Sequence, residues 1–285
     1  MDLNLEKITF IIVTYNSDNV IKDCLNSLPK KASKIIIENS FNEELKKDLE
    51  NNYDNIKVIL SENRGMGTSN NLGIKMCKTQ YAYILNPDII LKENAFDKIC
   101  QSLNALDDFA IASPVNCDLN FPNYRLNKNN LKKENLWEVE SVDGFSMIIN
   151  KKKFKDNEFF DENFFLFLEN DDLCLRVRKK NDLIYVIRDA FIDHKGFSSV
   201  SKVDVKELEY LRNWHWMWSK FYFNKKNFGF FNALIKVSLN LLSACFKYLI
   251  YLLIFNSHKK KVYQMRLLGI LNSILGKKSW YRIKD

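Results

Sequence analysis

The chain lacks paired cysteines: its six stand at 24, 77, 100, 117, 174 and 245, and no two form a C-x-x-C motif. That spacing excludes a zinc ribbon and offers no disulfide framework, while scattered thiols fit a reducing cytosol. No internal repeat is visible, which excludes solenoid and propeller arrays. No G-x-G-x-x-G follows the first apolar run, so a dinucleotide-binding domain loses its main support. The chain opens on MDLNLEK, with two acids ahead of the short run ITFIIV, and no secretory signal is expected from it. Acid is almost missing from the last 76 residues. Residues 210–285 hold 14 Lys/Arg against Asp285 alone, whereas 1–209 hold 29 Lys/Arg and 34 Asp/Glu.

With 46% apolar and 27% charged residues, the chain is globular and not disordered. Its 285 residues suit one large domain, or one domain plus an appendage. Short β-branched runs recur at 8–14, 34–37, 56–60, 81–85 and 109–113, with helical spacing between them, as in Val20, Cys24, Leu25 and Leu28. This alternation predicts an α/β fold with a mainly parallel sheet flanked by helices. Segment 116–140, rich in Asn and Lys, reads as a long loop. A strand is expected at 142–149, a helix at 169–180 and a strand at 183–188. From 205 onward the pattern is helical, so the chain divides into 1–204 and a helical region, 205–285.

In open parallel sheets, ligands sit beyond the carboxyl ends of the strands, so the residues after each strand carry the chemistry. Thr14-Tyr15-Asn16-Ser17 follows the first strand; it either meets a base or ribose, or caps a helix through Asn16 or Ser17. Glu38 follows the second, as an acceptor for a base imide or a solvated strand end. After the third, Asn63-Arg64-Gly65-Met66-Gly67 leads toward Asn71. The two glycines let backbone amides approach a phosphate at a helix N-terminus, or simply form a turn. Asn86-Pro87-Asp88 follows the fourth; a carboxylate there can hold a divalent cation shared with a diphosphate, or close a turn.

Further on, Phe164-Phe165-Leu166-Phe167-Leu168 runs straight into Glu169-Asn170-Asp171-Asp172. Three carboxylates at a helix start suit the helix dipole. A carboxylate held beside apolar groups has a raised pKa, which suits a general base. Asp193-His194-Lys195-Gly196 follows the last strand, with His194 either a metal ligand through a neutral ring nitrogen or a structural histidine.

Taken in order, TYNS, ENRGMGTSNNLGI, LNPD, DGFSMII, FDENFFLFLENDDLCLR and the late histidine resemble family 2 glycosyltransferases of GT-A fold, in particular the bacterial rhamnosyltransferase-type branch. The resemblance spans roughly residues 8–200, and its strength lies in the ordered set of pieces, each after an expected strand. It implies a GT-A catalytic domain over 1–204. Thr14, Tyr15, Asn16 and Glu38 would line the base pocket, and Asn63, Gly65 and Asn71 would neighbour the donor. Asp88 would bind Mn²⁺ or Mg²⁺ with His194 as second ligand, and Gly144 would lie on the acceptor side. Glu169, Asp171 and Asp172 form the catalytic acid group.

Two departures from the family pattern stand out. The usual Asp after the second strand is Glu38, and the usual base position is Asn170, which cannot take a proton. Either Glu169 or Asp171 substitutes, with Glu169 favoured because it adjoins the lost position, or activity is lost. The implied chemistry is inverting transfer from a nucleotide diphosphate sugar, with dTDP-rhamnose and a cell-surface or lipid-linked glycan suggested by the branch. The competing classes are a nucleotidyltransferase, which TYNS does not suit, and an inactive sugar-nucleotide-binding protein.

In the tail, Asn232, Lys236, Asn240, Ser243 and Lys247 are spaced by 4, 4, 3 and 4, one stripe along an otherwise apolar helix. With Lys259-Lys260-Lys261, Lys277-Lys278 and the aromatic Trp214, Trp216 and Trp218, this predicts peripheral docking on an anionic membrane surface at the cytoplasmic face. Two alternatives stay open: a single span over 237–255, or a helix packed on the catalytic domain. Nucleic acid is not an expected partner, because the basic residues flank apolar stretches instead of lining a polar groove.

Overall fold

The computed structural model describes residues 5–106, 108–118, 120–127, 132–154, 158–195 and 204–283; Gly196 lies outside them. Among the described residues eleven strands are assigned: β1 (Ile8–Thr14), β2 (Ser33–Glu38), β3 (Ile56–Leu60), β4 (Tyr81–Leu85), β5 (Ile89–Leu91), β6 (Ile111–Asn116), β7 (Tyr124–Leu126), β8 (Lys132–Lys133), β9 (Leu136–Val142), β10 (Ser146–Asn150) and β11 (Ile184–His194). The helices are α1 (Ile21–Ser27), α2 (Glu43–Asn52), α3 (Met66–Met76), α4 (Ala95–Ala105), α5 (Glu169–Lys179), α6 (Val205–Phe228), α7 (Phe230–Leu253) and α8 (Ser257–Ile274). By contacts the chain forms two compact units, Met1–Asp161 with Leu173–Ser201, and Glu162–Asp172 with Lys202–Asp285.

The first unit holds one sheet in the order β3-β2-β1-β4-β10-β6-β11-β9-β7, with β5 paired to β11 and β8 to β9. The β3-β2-β1-β4 half is parallel throughout, the Rossmann-like part of the fold. Its inner strands β1 and β4 are buried along their whole length, without polar alternation, because both faces are covered, whereas the edge strand β3 is mostly part-exposed. Phe10 and Ile12 of β1 point to one face, packed with Ile21 and Cys24 of α1, Leu45 and Leu49 of α2 and Ile99 of α4. Ile11 and Val13 point to the other, packed with Ile74 of α3 and Leu173, Cys174 and Val177 of α5. Helix α3 approaches β1 so closely that a Cβ on Gly73 would sit 2.4 Å from the Ile11 side chain.

Three expectations from the sequence are corrected. Segment 116–140 is not one long loop, since it contains β7, β8 and most of β9. Trp137, Val139 and Ser141 alternate with Glu138 and Glu140 at period two, and the Asn/Lys-rich surroundings mask that signal. The strand expected at 142–149 is instead the end of β9, a turn at 143–145 and β10. Strand β11 runs on to His194, with a register irregularity between Ile187 and Phe191, and its end pairs with the short β5.

The second unit is built on α6, α7 and α8. Asp204 caps α6 by accepting from the Lys206 amide, and Asn256 caps α8 by accepting from Lys259. Gly229, at φ +91°, takes the left-handed corner between α6 and α7. The core combines Met217 and Phe221 of α6, Ala233 and Val237 of α7 and Ile270 of α8. Trp214 and Trp218 are buried here, against Val262 and Met265, so they are core residues and not the interfacial aromatics expected. Trp216 falls on the opposite side of α6 and is 40% exposed. Burial pushes the His215 imidazole down to about 3, and its neutral ring bonds Ser279 Oγ and the Tyr281 carbonyl, tying down the C-terminal tail.

Candidate active site

Thr14 and Glu38 end neighbouring parallel strands in register, so the loops that follow β1 and β2 lie side by side. The Asn39 amide donates to the Thr14 carbonyl at 2.9 Å. Asn16 sits at φ +51°, a left-handed conformation that Asn tolerates, and its amide donates to Ser40 Oγ at 3.4 Å. Ser40 in turn donates from its hydroxyl and its amide to Glu38. The Asn42 amide completes the set at 2.7 Å. Glu38 is fully buried and its carboxylate holds the second loop in shape, a task the sequence did not reveal. Tyr15 stays partly exposed on the first loop, its amide donating to Ser17 Oγ at 3.2 Å. The Thr14 hydroxyl is enclosed and has no hydrogen-bond partner among the described residues.

Gly65 adopts φ +103° at the start of α3, a conformation that requires glycine, and Asn63 Oδ1 accepts from its amide at 3.3 Å. The first amides of α3 therefore point from a tight corner at the strand-end side of the sheet, a ready anion site. Asn71 lies farther along the helix and is buried. Its amide nitrogen donates to the Phe160 carbonyl at 2.9 Å and its oxygen accepts from the Phe160 amide at 2.9 Å. The structure thus gives Asn71 the anchoring of segment 158–161, where the sequence suggested donor contact. Asn39 and Ser69, two buried residues linked at 2.8 Å, join the second loop to α3 and were not singled out from sequence.

Asp88 and His194, far apart in sequence, meet because β5 and β11 pair antiparallel with Ile89 opposite His194. Asp88 is 1% exposed, and its Oδ1 has no hydrogen-bond partner among the described residues. That oxygen faces His194 Nε2 at 3.6 Å. Two ligands each about 2.1–2.2 Å from one cation lie about 3–4.4 Å apart, so the pair fits a divalent ion. No cluster of three His, Cys, Asp or Glu occurs among the described residues. The Gly144 turn borders this pair: the Phe145 ring lies 4.1 Å from that of His194, and the Phe145 carbonyl accepts from Asn86 at 2.9 Å.

The acid group opens α5. Phe167 and Leu168 both have positive φ, +70° and +68°, two strained non-glycine residues immediately before Glu169. Within the second unit this strained stretch is fixed by Ser219, whose hydroxyl donates to the Leu166 carbonyl at 2.8 Å. Phe165 packs on His215, and Phe167 stands edge-on to Trp216. Glu169 keeps part of its surface exposed, yet its Oε2 is enclosed and unpartnered among the described residues. Burial pushes its carboxyl up to about 7, with the Asp171 charge adding in the same direction and its own backbone amide opposing. Asp172 has a different task from the one expected. It is fully buried, and its oxygens accept from Lys226 Nζ at 2.8 Å and Asn227 Nδ2 at 3.0 Å. Asp171 stays partly exposed.

A parallel sheet half, polar loops beyond its strands and an Asp–His pair at the same end mark a GT-A, nucleotide-sugar-dependent glycosyltransferase. The chain belongs to glycosyl transferase family 2, whose profile matches residues 9–170. It is similar to the low-salt glycan biosynthesis hexosyltransferase Agl10 of Haloferax volcanii, 24% identical over 70% of this chain and 72% of that one. It is similar also to the rhamnosyltransferase WbbL of Escherichia coli, 28% identical over 59% of this chain and 75% of that one. Among solved structures, the mannosyltransferase PcManGT of Pyrobaculum calidifontis, in complex with GDP-Man and Mn²⁺, shares the fold. Its TM-score is 0.57 at 10% identity, covering 95% of this chain and 88% of that one.

Proposed function

We propose that this glycosyltransferase moves a hexosyl group, with inversion, from a nucleoside diphosphate sugar to a hydroxyl of a lipid-linked or cell-surface glycan, working at the cytoplasmic face of the membrane. The likeness to the rhamnosyltransferase WbbL supports rhamnose as the sugar, with dTDP-rhamnose as its expected donor. Tyr15 and Asn16 receive the nucleoside on the first loop, which Ser40 ties to the second loop that Glu38 holds in shape. The Gly65 corner and the first amides of α3 receive the diphosphate. Asp88 and His194 would hold Mn²⁺ or Mg²⁺, which when bound would supply positive charge against the negative charge gathering on the departing diphosphate.

The observation that carries the mechanism is Glu169, whose Oε2 is enclosed and unpartnered among the described residues and whose carboxyl is pushed by burial up to about 7. As carboxylate it takes the proton of the acceptor hydroxyl while the acceptor oxygen bonds the anomeric carbon; the bond to the diphosphate breaks with its electrons leaving on the nucleotide. A carboxylate matched to neutral pH beside Asn170 argues against an inactive binding protein. The test is transfer from dTDP-, UDP-, GDP- and CMP-sugars to a lipid-linked glycan acceptor, following nucleotide release and the product's anomeric configuration by NMR. One donor should be turned over with inversion. Retention, or release with no donor, would contradict the reading.

A further inference from the structure

Helix α7 has two unlike faces. Its inner face is buried in the three-helix unit through Ala233, Val237 and Ala244. Its outer face carries Phe231, Ile235, Leu239, Leu242, Phe246 and Leu249, spaced by 4, 4, 3, 4 and 3, each 55–79% exposed. That spacing draws one continuous stripe along the helix, opposite the buried face. An apolar stripe of this length on a free surface marks an interaction site. Lys236 and Lys247 are exposed and run along one flank of the stripe, with Asn232 and Ser243. Asn240, expected in that polar row, turns inward and accepts from Lys220 Nζ at 2.7 Å.

We propose that α7 lies in the plane of an anionic lipid surface, its outer stripe entering the boundary of headgroups and acyl chains, with Lys236 and Lys247 meeting lipid phosphates. Charge complementarity selects this occupant: the tail from 210 onward holds 14 Lys/Arg and one acid, and a cationic flank beside an apolar face is the pattern of interfacial helices. The structure also bears on the choice between lying and crossing. By length and composition α7 can cross a membrane. Its inner face, however, is packed against α6 and α8. Helix α8 carries Lys259, Lys260, Lys261 and Arg266, and α6 carries Arg212, Lys220, Lys225 and Lys226. A crossing α7 would draw these charged neighbours into hydrocarbon or shed them, and both are strongly unfavourable. Lying flat keeps the packed face and wets only the stripe. For its purpose the proposal rests on the glycosyltransferase reading, since docking confines the enzyme to the plane of a lipid-linked acceptor.

The experiment is sedimentation of the full chain with vesicles of phosphatidylcholine alone or with phosphatidylglycerol, beside the double variant Leu239→Glu/Phe246→Glu. Both substituted residues are exposed, so unchanged circular dichroism should verify the fold. Wild type should pellet with the anionic vesicles and weaken as salt rises. The variant should lose at least about tenfold in partitioning. Its turnover of donor with a water-soluble acceptor should stay unchanged. Wild type remaining in the supernatant, equal pelleting of the variant, or pelleting that resists carbonate each overturns the in-plane reading. So does a lipid-free dimer that the variant abolishes, because the stripe then belongs to a second copy. Vesicle binding without turnover of any donor would instead overturn the catalytic reading and leave the surface standing.

Discussion

Glu169→Gln separates chemistry from stability, and the structure sets both magnitudes. Burial moves this carboxyl from 4.5 to about 7. Each pKa unit is about 1.36 kcal/mol, so enclosing the ionised form costs about 3 kcal/mol. The sign follows from proton binding. Between these values the native state holds a proton that the unfolded chain has lost, so wild-type stability falls as pH rises through that window. Glutamine carries no charge and escapes this loss. An enclosed amide has its own penalty of about 1–3 kcal/mol, but that penalty does not change with pH. The readable quantity is therefore the variant's stability relative to wild type. It should improve by about 2–3 kcal/mol from pH 5 to pH 8, which is about 5–10 °C in relative Tm for a chain of this size. Meanwhile kcat/KM of wild type should rise tenfold per pH unit up to about 7 and then level off. The variant should lose that limb and run about 10²-fold or more slower, with donor affinity unchanged. Asp171→Asn should keep the limb. Thermal melts and initial rates across the same buffers measure both effects. A relative Tm that does not move with pH would refute the enclosed carboxylate, and a limb that survives in the variant would refute the base.

Asp88→Ala should abolish metal-dependent donor binding, read by calorimetry with and without Mn²⁺, while the melting curve in apo buffer stays close to wild type. Asp172→Asn should act on stability: its oxygens serve Lys226 and Asn227, and weakening a buried charged hydrogen bond costs about 1.5–3 kcal/mol, seen as a lower denaturant midpoint. Activity per folded molecule should change less there than in Glu169→Gln. Gly73→Ala should destabilise the first unit by about 1–3 kcal/mol because the new methyl would meet Ile11 at 2.4 Å, again a denaturant measurement.

Much of the fold was legible because β1 and β4 are buried throughout and β2 keeps the apolar run Ile35–Ile37, while β3 reads as apolar apart from Lys57. β5 was not, since three residues after Asn86-Pro87-Asp88 look like the end of a turn. β9 was hidden because its alternation, Trp137, Val139 and Ser141 against Glu138 and Glu140, lies inside an Asn/Lys-rich stretch. For the site, sequence order brought out Asp88, His194 and Glu169 as candidates, but the contact between Asp88 and His194 depends on the unseen β5–β11 register. Hydrogen-bond partners were the least legible feature. Glu38 turns to Ser40 and Asn42, Asn71 to the Phe160 backbone, and Asp172 to Lys226 and Asn227, partners that no spacing rule connects. The aromatic cluster shows the same limit. Trp214 and Trp218, four apart, share the buried side of α6, and only Trp216 reaches solvent.

The most direct test of the account is a thermal-shift panel of dTDP-, UDP-, GDP- and CMP-sugars on the full chain, with and without Mn²⁺. A ligand at 100-fold over its Kd adds about 2.7 kcal/mol to native stability. One nucleotide sugar should raise Tm by several degrees, Mn²⁺ should enlarge the shift, and Asp88→Ala should remove the enlargement. No shift with any nucleotide sugar, or a shift of equal size with and without Mn²⁺ in both proteins, would contradict it.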